Sequence, residues 1–240
     1  MNKKIRLYFS DKIKSDLVAH LLKEQSHYLK DVMRLKVGDT FSVFNIHGEW
    51  KASIQNYEKQ AVKIKILEKL RDKKGEKNIW LAFTPIKQNP LNFIIQKGTE
   101  LGVQKFIPIL SERTAVKDIN TERVKKIIIE SAEQSNRISV PEITKLETLK
   151  KFISSFPEKG CLIFCDINCN KSDFKKILSK KDTGPICILI GPEGDFSGNE
   201  RKLIAEQKQS QSISLAQNIL RAETAAIVAV TLVNYYLNLS

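Results

Sequence analysis

Histidine is scarce in this chain and confined to one end of it. The three histidines are His20, His27 and His47, and none follows. Imidazole is the usual general base near neutral pH, so its absence beyond residue 47 argues against a histidine-based triad, and hence against an esterase or protease. Long apolar runs are also missing. The longest, Ala225 to Val233, is too short and too interrupted to span a bilayer. The N-terminus, Met-Asn-Lys-Lys-Ile-Arg, is basic, and no apolar signal core follows it, so a cytoplasmic location is expected. Paired cysteines are lacking too. Cys161, Cys165, Cys169 and Cys187 form neither the C-x-x-C of zinc sites nor the C-x-x-x-C-x-x-C of radical enzymes. Cys161, Cys165 and Cys187 fall in apolar stretches, where a thiol serves as a small hydrophobe. No metal and no disulfide is expected.

Acidic residues are outnumbered. With 40 Lys and Arg against 27 Asp and Glu, the net charge is +13, which favours a polyanionic partner such as nucleic acid. A Lys-rich surface of no special function would account for part of it. A length of 240 residues fits one or two domains.

Residues 1–70 read as a small β-rich unit. Arg6 to Phe9 and Phe41 to Phe44 alternate as strands. Asn45-Ile-His-Gly48 turns, and Glu49 to Ile54 answers as a hairpin partner. Ser26 to Met33 has helical spacing. In Ala61 to Leu67, Val62, Ile64 and Ile66 face one way and Lys63 and Lys65 the other. The charged stretch 71–77 reads as a linker. Beyond it, strands at Ile79–Phe83, Lys105–Leu110, Cys161–Cys165, Ile186–Ile190 and Ser212–Leu215 alternate with helices at Leu91–Leu101, Thr121–Ser135 and Ser172–Leu178 and after each of the last two strands. Such alternation over 78–240 predicts an α/β domain with a mainly parallel sheet covered on both faces.

Two loops of this second domain are candidates for one small-molecule site, because ligands of open α/β sheets bind at the carboxyl ends of strands. The first follows Ile186–Ile190: Gly191-Pro-Glu-Gly-Asp-Phe-Ser197, with Ser197 and Glu200 spaced as a helix capping box. It is neither a dinucleotide fingerprint nor a P-loop. It matches the GXXG of KH domains, but Glu193 and Asp195 would repel phosphate. Taken alone it is an ordinary glycine turn. The second, Asn218-Ile-Leu-Arg-Ala-Glu-Thr-Ala-Ala226, sets Arg221, Glu223 and Thr224 at the start of an apolar helix, where polar groups can meet a ligand.

Ile190-Gly-Pro-Glu-Gly-Asp-Phe-Ser197 followed by Ile219-Leu-Arg-Ala-Glu-Thr-Ala225 resembles the signature of SPOUT methyltransferases. The closer resemblance is to the RsmE family, which methylates N3 of a uridine in 16S ribosomal RNA. Lys87 to Gly102, Glu133-Gln-Ser-Asn-Arg137 with Pro141-Glu-Ile143, and His27 to Gly38 resemble further blocks of that family, so the likeness runs along the whole chain. The resemblance implies a PUA-like β-barrel (1–70) and a SPOUT domain (78–240) with a deep trefoil knot. It also implies S-adenosylmethionine as cofactor and a homodimer built through the knotted domain. By matching position, Gly191, Pro192, Glu193, Gly194, Leu215, Ile219, Leu220, Arg221 and Ala225 would line the cofactor pocket. There are two departures: Asp195 and Ala216 stand where the family commonly has Gly.

Methylating uracil N3 requires loss of a weakly acidic N–H, with cations steadying the anion. Arg221 or another arginine is the candidate for that charge, and a carboxylate such as Glu223 or Glu100 for the proton. Candidate contacts to 16S RNA, or to the 30S subunit, are Arg6, Arg34, Lys87, Arg113 and Arg137, though each alone also suits a solvated surface. Two rivals stand beside this reading: a SPOUT enzyme acting on tRNA or on a ribose 2′-hydroxyl, and a non-catalytic RNA-binding protein of ribosome assembly.

Overall fold

A computed structural model describes residues 5–59, 61–169, 174–178 and 184–239. The chain divides into two compact units, Met1–Gly75 with Ala132–Val140, and Glu76–Ser131 with Pro141–Ser240.

The first unit is built on a five-stranded sheet. Strand β1 (Arg6–Tyr8) runs parallel to β3 (Thr40–Asn45), β3 forms a hairpin with β4 (Gly48–Tyr57), β4 pairs with β5 (Val62–Arg71), and β5 pairs with the short β2 (Val18–His20). β1 and β2 are its edges. Gly48 closes the hairpin at φ +136°, and a Cβ there would lie 2.6 Å from the Arg71 carbonyl oxygen, so only glycine fits. Register shifts along β4 and β5 mark bulges that curl the sheet. The expected alternation holds: Val62, Ile64 and Ile66 enter a core with Val43, Ala52 and Ile54, while Lys63 and Lys65 turn outward. Burial of one such isoleucine contributes about 1.5–3 kcal/mol. The expected first helix is α1 (Lys23–His27), which continues as a π-helical turn over Tyr28–Val32 and buries Leu29.

Segment Ala132–Val140 joins this unit through Arg6. Its Nη1 donates to the carbonyls of Ala132 and Glu133 at 3.1 and 2.9 Å, its Nη2 to that of Arg137 at 2.7 Å, and its Nε to Glu49 at 3.2 Å. Arg71 reaches the other Glu49 oxygen at 2.7 Å. Arg6 and Glu49 are only 7% and 2% exposed. This corrects the sequence reading of Arg6 as an RNA contact: its donors are spent inside the fold.

The second unit is a parallel sheet with strand order β12-β10-β11-β6-β7-β8, β9 also pairing with β7. The strands are β6 (Ile79–Phe83), β7 (Lys105–Leu110), β8 (Glu142–Ile143), β9 (Glu147–Thr148), β10 (Cys161–Cys165), β11 (Ile186–Ile190) and β12 (Ser210–Ile213). The helices are α2 (Gln88–Glu100), α3 (Thr121–Gln134, ending in the first unit), α4 (Leu149–Ser154), α5 (Phe174–Leu178), α6 (Gly198–Glu206) and α7 (Ala222–Leu239). The expected start of α5 at Ser172 lies outside the described residues. β12 begins and ends two residues earlier than expected, leaving Ser214 and Leu215 in the loop that follows. β10, β11 and β6 are apolar on both faces because helices cover both. Helix α7 packs on α2, β11 and β6 through Ala226, Ala229, Val230 and Val233, spaced i, i+3, i+4, i+7. The strand order changes direction between β6 and β11, which makes their carboxyl ends the expected ligand edge.

Candidate active site

The loop after β11 is shaped by close packing. A Cβ on Gly191 would meet the Phe196 ring at 3.0 Å, and Phe196 is itself buried edge-on against Phe164, with ring centroids 5.6 Å apart. The Asp195 N–H donates to the Pro192 carbonyl at 3.0 Å, which puts Asp195 at φ +57°. Left-handed backbone there explains why glycine is common at that position in the family resembled. Aspartate is tolerated because its short side chain bonds locally: Oδ1 accepts the Phe196 N–H at 2.8 Å. Ala216, the second departure, is not among the residues with positive φ, so alanine carries no strain there.

Four ties fix this loop. The expected capping box is present, Ser197 Oγ accepting from the Glu200 N–H and Glu200 from that of Ser197. The second Glu200 oxygen accepts the Glu112 N–H at 2.8 Å, and Arg113 Nη1 donates to the Gly194 carbonyl at 2.8 Å. Arg201 donates to both oxygens of Asp166 at 2.7 Å and to Asp195 at 2.8 Å. Burial alone would lower the Arg201 guanidinium, and the two aspartates more than offset it, so its pKa lies above the usual value.

Asp166 directly follows β10 and its N–H donates to the carbonyl of Ile213 at the end of β12. Between these two strand ends lies an open depression lined by Cys165, Asp166, Ile167, Ser214 to Leu220, and Ala225. Of the expected cofactor residues, Leu215, Ile219, Leu220 and Ala225 line it. Gly191 to Gly194 form the loop on the adjacent strand, tied to Asp166 through Asp195 and Arg201. Ile219 is 82% exposed at the rim. Arg221 is exposed just before α7, accepting the Ala225 N–H on its carbonyl at 2.8 Å, and Glu223 is half-buried in the first turn. A further group at this edge is Thr84, which follows β6 and donates its N–H to the Ile190 carbonyl at 3.3 Å. It is 1% exposed, and its hydroxyl has no partner.

Glu100 is elsewhere, which corrects its assignment as proton acceptor. It ends α2, paired with Lys97 at 2.8 Å. The adjacent Leu101 carbonyl accepts from Asn234 at 2.7 Å, and α7 rises roughly 18 Å between Ala222 and Asn234. Arg113, taken for RNA, has one nitrogen committed to the glycine loop. Arg137 is half-buried and donates to Ser139 at 2.7 Å. Arg34 and Lys87 are exposed. The sequence reading missed Asp166, Thr84 and Arg201. The first two directly follow apolar strands, the signal that located the glycine loop, whereas nothing in the sequence sets Arg201 apart from its neighbours on α6. It also missed a depression in the first unit, rimmed by Lys23, His27, Lys30, Tyr57 and Lys59.

Residues 73–234 match the RNA methyltransferase domain family, and residues 21–67 the PUA domain of RNA methyltransferases. Ribosomal RNA small subunit methyltransferase E of Rickettsia conorii is 33% identical over 228 residues, covering 94% of this chain and 93% of that protein. Its namesake from Synechocystis is 34% identical over 221 residues, covering 88% and 70%. A methyltransferase of Legionella pneumophila, solved with S-adenosylmethionine bound, superposes with a TM-score of 0.87 at 27% identity, covering 97% of this chain and 98% of that one. Ribosomal RNA small subunit methyltransferase E of Neisseria gonorrhoeae shares the fold with a TM-score of 0.89 at 24% identity, covering 97% and 98%.

Proposed function

Because the chain belongs to the ribosomal RNA small subunit methyltransferase E family, we propose that it transfers a methyl group from S-adenosylmethionine to N3 of a uridine in 16S ribosomal RNA. The observation that carries this reading is the depression between β10 and β12, with the glycine loop on the next strand and Arg221 and Glu223 on the helix that begins beside it. The residues present fit the cofactor. Leu215, Ile219, Leu220 and Ala225 offer apolar wall for the adenine, the Thr84 hydroxyl is unpaired at the same sheet edge, and Gly191 lacks the side chain that would strike Phe196.

When bound, the cofactor supplies a methyl group on a positively charged sulfur. The protein must make uracil N3 a nucleophile. Arg221 faces solvent and makes no ion pair among the described residues, so it is free to hold the uracil oxygen on which negative charge grows. Glu223, two residues on in the first turn of α7, takes the N3 proton. The N3–H bond would break with its proton passing to Glu223, and the N3–methyl bond would form as the donor's sulfur–methyl bond breaks, its electron pair leaving a neutral thioether. RNA is gripped through exposed cations such as Arg34 and Lys87, and the target base leaves its stack to reach Arg221. The chain works as a homodimer: α2 and α7, packed together, leave Phe93 and Tyr235 exposed. A trefoil knot suits the path from β12, at the sheet edge, back to α7 on β11 and β6. A ribosomal substrate puts this work in the cytoplasm.

The test is methyl transfer from labelled S-adenosylmethionine to 30S subunits lacking their own N3-methyluridine, followed by digestion. Label in 3-methyluridine is the expected result. Label in a 2′-O-methyl nucleoside would replace the reaction, and failure to bind the cofactor would favour a non-catalytic RNA-binding protein.

A further inference from the structure

Asp166 is the one charged side chain, among the described residues, lining the depression. It is held in place from several directions. Both oxygens accept from Arg201 Nη2 at 2.7 Å, and Oδ1 also accepts the Asn168 N–H at 2.8 Å. Arg201 turns its other terminal nitrogen to Asp195 at 2.8 Å. Two carboxylates thus share one guanidinium, and the cluster keeps one net negative charge. A pair built for stability alone would need only one aspartate. The second sits at φ +57°, where a β-carbon is disfavoured.

We propose that this cluster sets the charge preference of the cofactor site: Asp166, positioned by Arg201 and backed by Asp195, favours the sulfonium-bearing methyl donor over its neutral thioether product. The inference rests on the cofactor reading above. Donor and product differ by one methyl cation, hence by one unit of charge. A fixed net negative charge at a partly desolvated wall reads that difference directly, and because Arg201 already orients the carboxylate, nothing must reorganise when the ligand arrives. The nearby Arg113 and Glu193 side chains are exposed and screened by solvent and salt. A weaker hold on the neutral product also speeds its departure, a step that often limits turnover.

The experiment is calorimetric titration of the full chain with three ligands: S-adenosylmethionine, S-adenosylhomocysteine, and sinefungin, which carries an amine in place of the sulfonium. Asp166→Asn is expected to weaken the two cationic ligands about tenfold, the scale of one partly screened charge, and the neutral one by less than about twofold. Asp195→Asn, farther from the depression, keeps the test open should Asp166→Asn fail to fold. It is expected to shift the same ratio in the same direction by about threefold. High salt should narrow the wild-type preference. Equal losses for all three ligands would reduce the cluster to a structural brace, and unchanged affinities would also overturn the inference; in both cases the cofactor reading stands. Wild-type protein that binds none of the three would overturn that reading and this inference with it.

Discussion

Arg201 on α6 holds both carboxylate oxygens of Asp166, at the end of β10, at 2.7 Å. Because Arg201 also reaches Asp195, one side chain braces the glycine loop against the wall of the depression. Arg201→Ala would leave two carboxylates facing one another. A fully buried pair broken in this way costs about 3–5 kcal/mol. Here the arginine is a quarter exposed, so a loss of about 1–3 kcal/mol is expected. Urea denaturation of the variant against wild type measures it; an unchanged midpoint would show that the brace contributes nothing.

The left-handed backbone of Asp195 makes a comparison of two substitutions informative. Asp195→Gly and Asp195→Ala both remove the Arg201 contact, but only glycine relieves the φ of +57°. The glycine variant should be the more stable by about 1 kcal/mol. Equal melting temperatures would mean that the loop relaxes out of this conformation.

In the first unit, Glu49 gives the fold a pH dependence. Burial raises its carboxyl pKa, but hydrogen bonds from Arg6 and Arg71 outweigh this and hold it below the usual carboxylate value. A carboxylate depressed in the folded state contributes stability that is complete above the unfolded value, about 4.3. That contribution is lost as pH falls through the folded value. Wild-type stability should therefore decline below about pH 4.3, with part of the slope removed in Glu49→Gln. Parallel acid unfolding of the two proteins would contradict the role given to Glu49. Glu49→Ala should be harsher at neutral pH, by about 3 kcal/mol or more, because Arg6 stays buried without its partner.

Much of this architecture is legible from residue pattern alone. Ile186–Ile190 and Cys161–Cys165 are apolar throughout because both faces of the sheet are covered, and Val62, Ile64 and Ile66 alternate because one face is not. The capping box at Ser197 and Glu200 reads directly. Less legible were features that depend on distant partners. β2, β8 and β9 have two or three residues each, too few for any period to show. The alternation of Ser212-Ile-Ser-Leu215 points to a strand two residues late, because Ser210 and Gln211 carry no apolar signal and only pairing with β10 sets where β12 begins and ends. The misreading of Arg6 has the same origin: a basic residue near an N-terminus looks solvated until Glu49, 43 positions away, comes to lie against it. Glu100 belonged to a matching block, but it sits at the wrong end of α2.

The wall of the depression gives a steric test. Ala225 lines it from the first turn of α7 and is half-buried. Ala225→Leu should fill the space and weaken S-adenosylmethionine at least about tenfold, since overpacking a fitted cavity costs about 1–3 kcal/mol, while far-UV circular dichroism stays native. Unimpaired binding would place the cofactor elsewhere.

In the function proposed above, methyl transfer occurs at the start of α7, with Arg221 steadying the uracil anion. It is tested most directly by single-turnover methylation of hypomethylated 30S subunits by wild type, Arg221→Ala and Glu100→Ala, each first shown to bind S-adenosylmethionine. A loss of about a hundredfold or more is expected for Arg221→Ala, with 30S binding largely retained, and wild-type rates for Glu100→Ala. Wild-type rates from Arg221→Ala, or a comparable loss from Glu100→Ala, would contradict it.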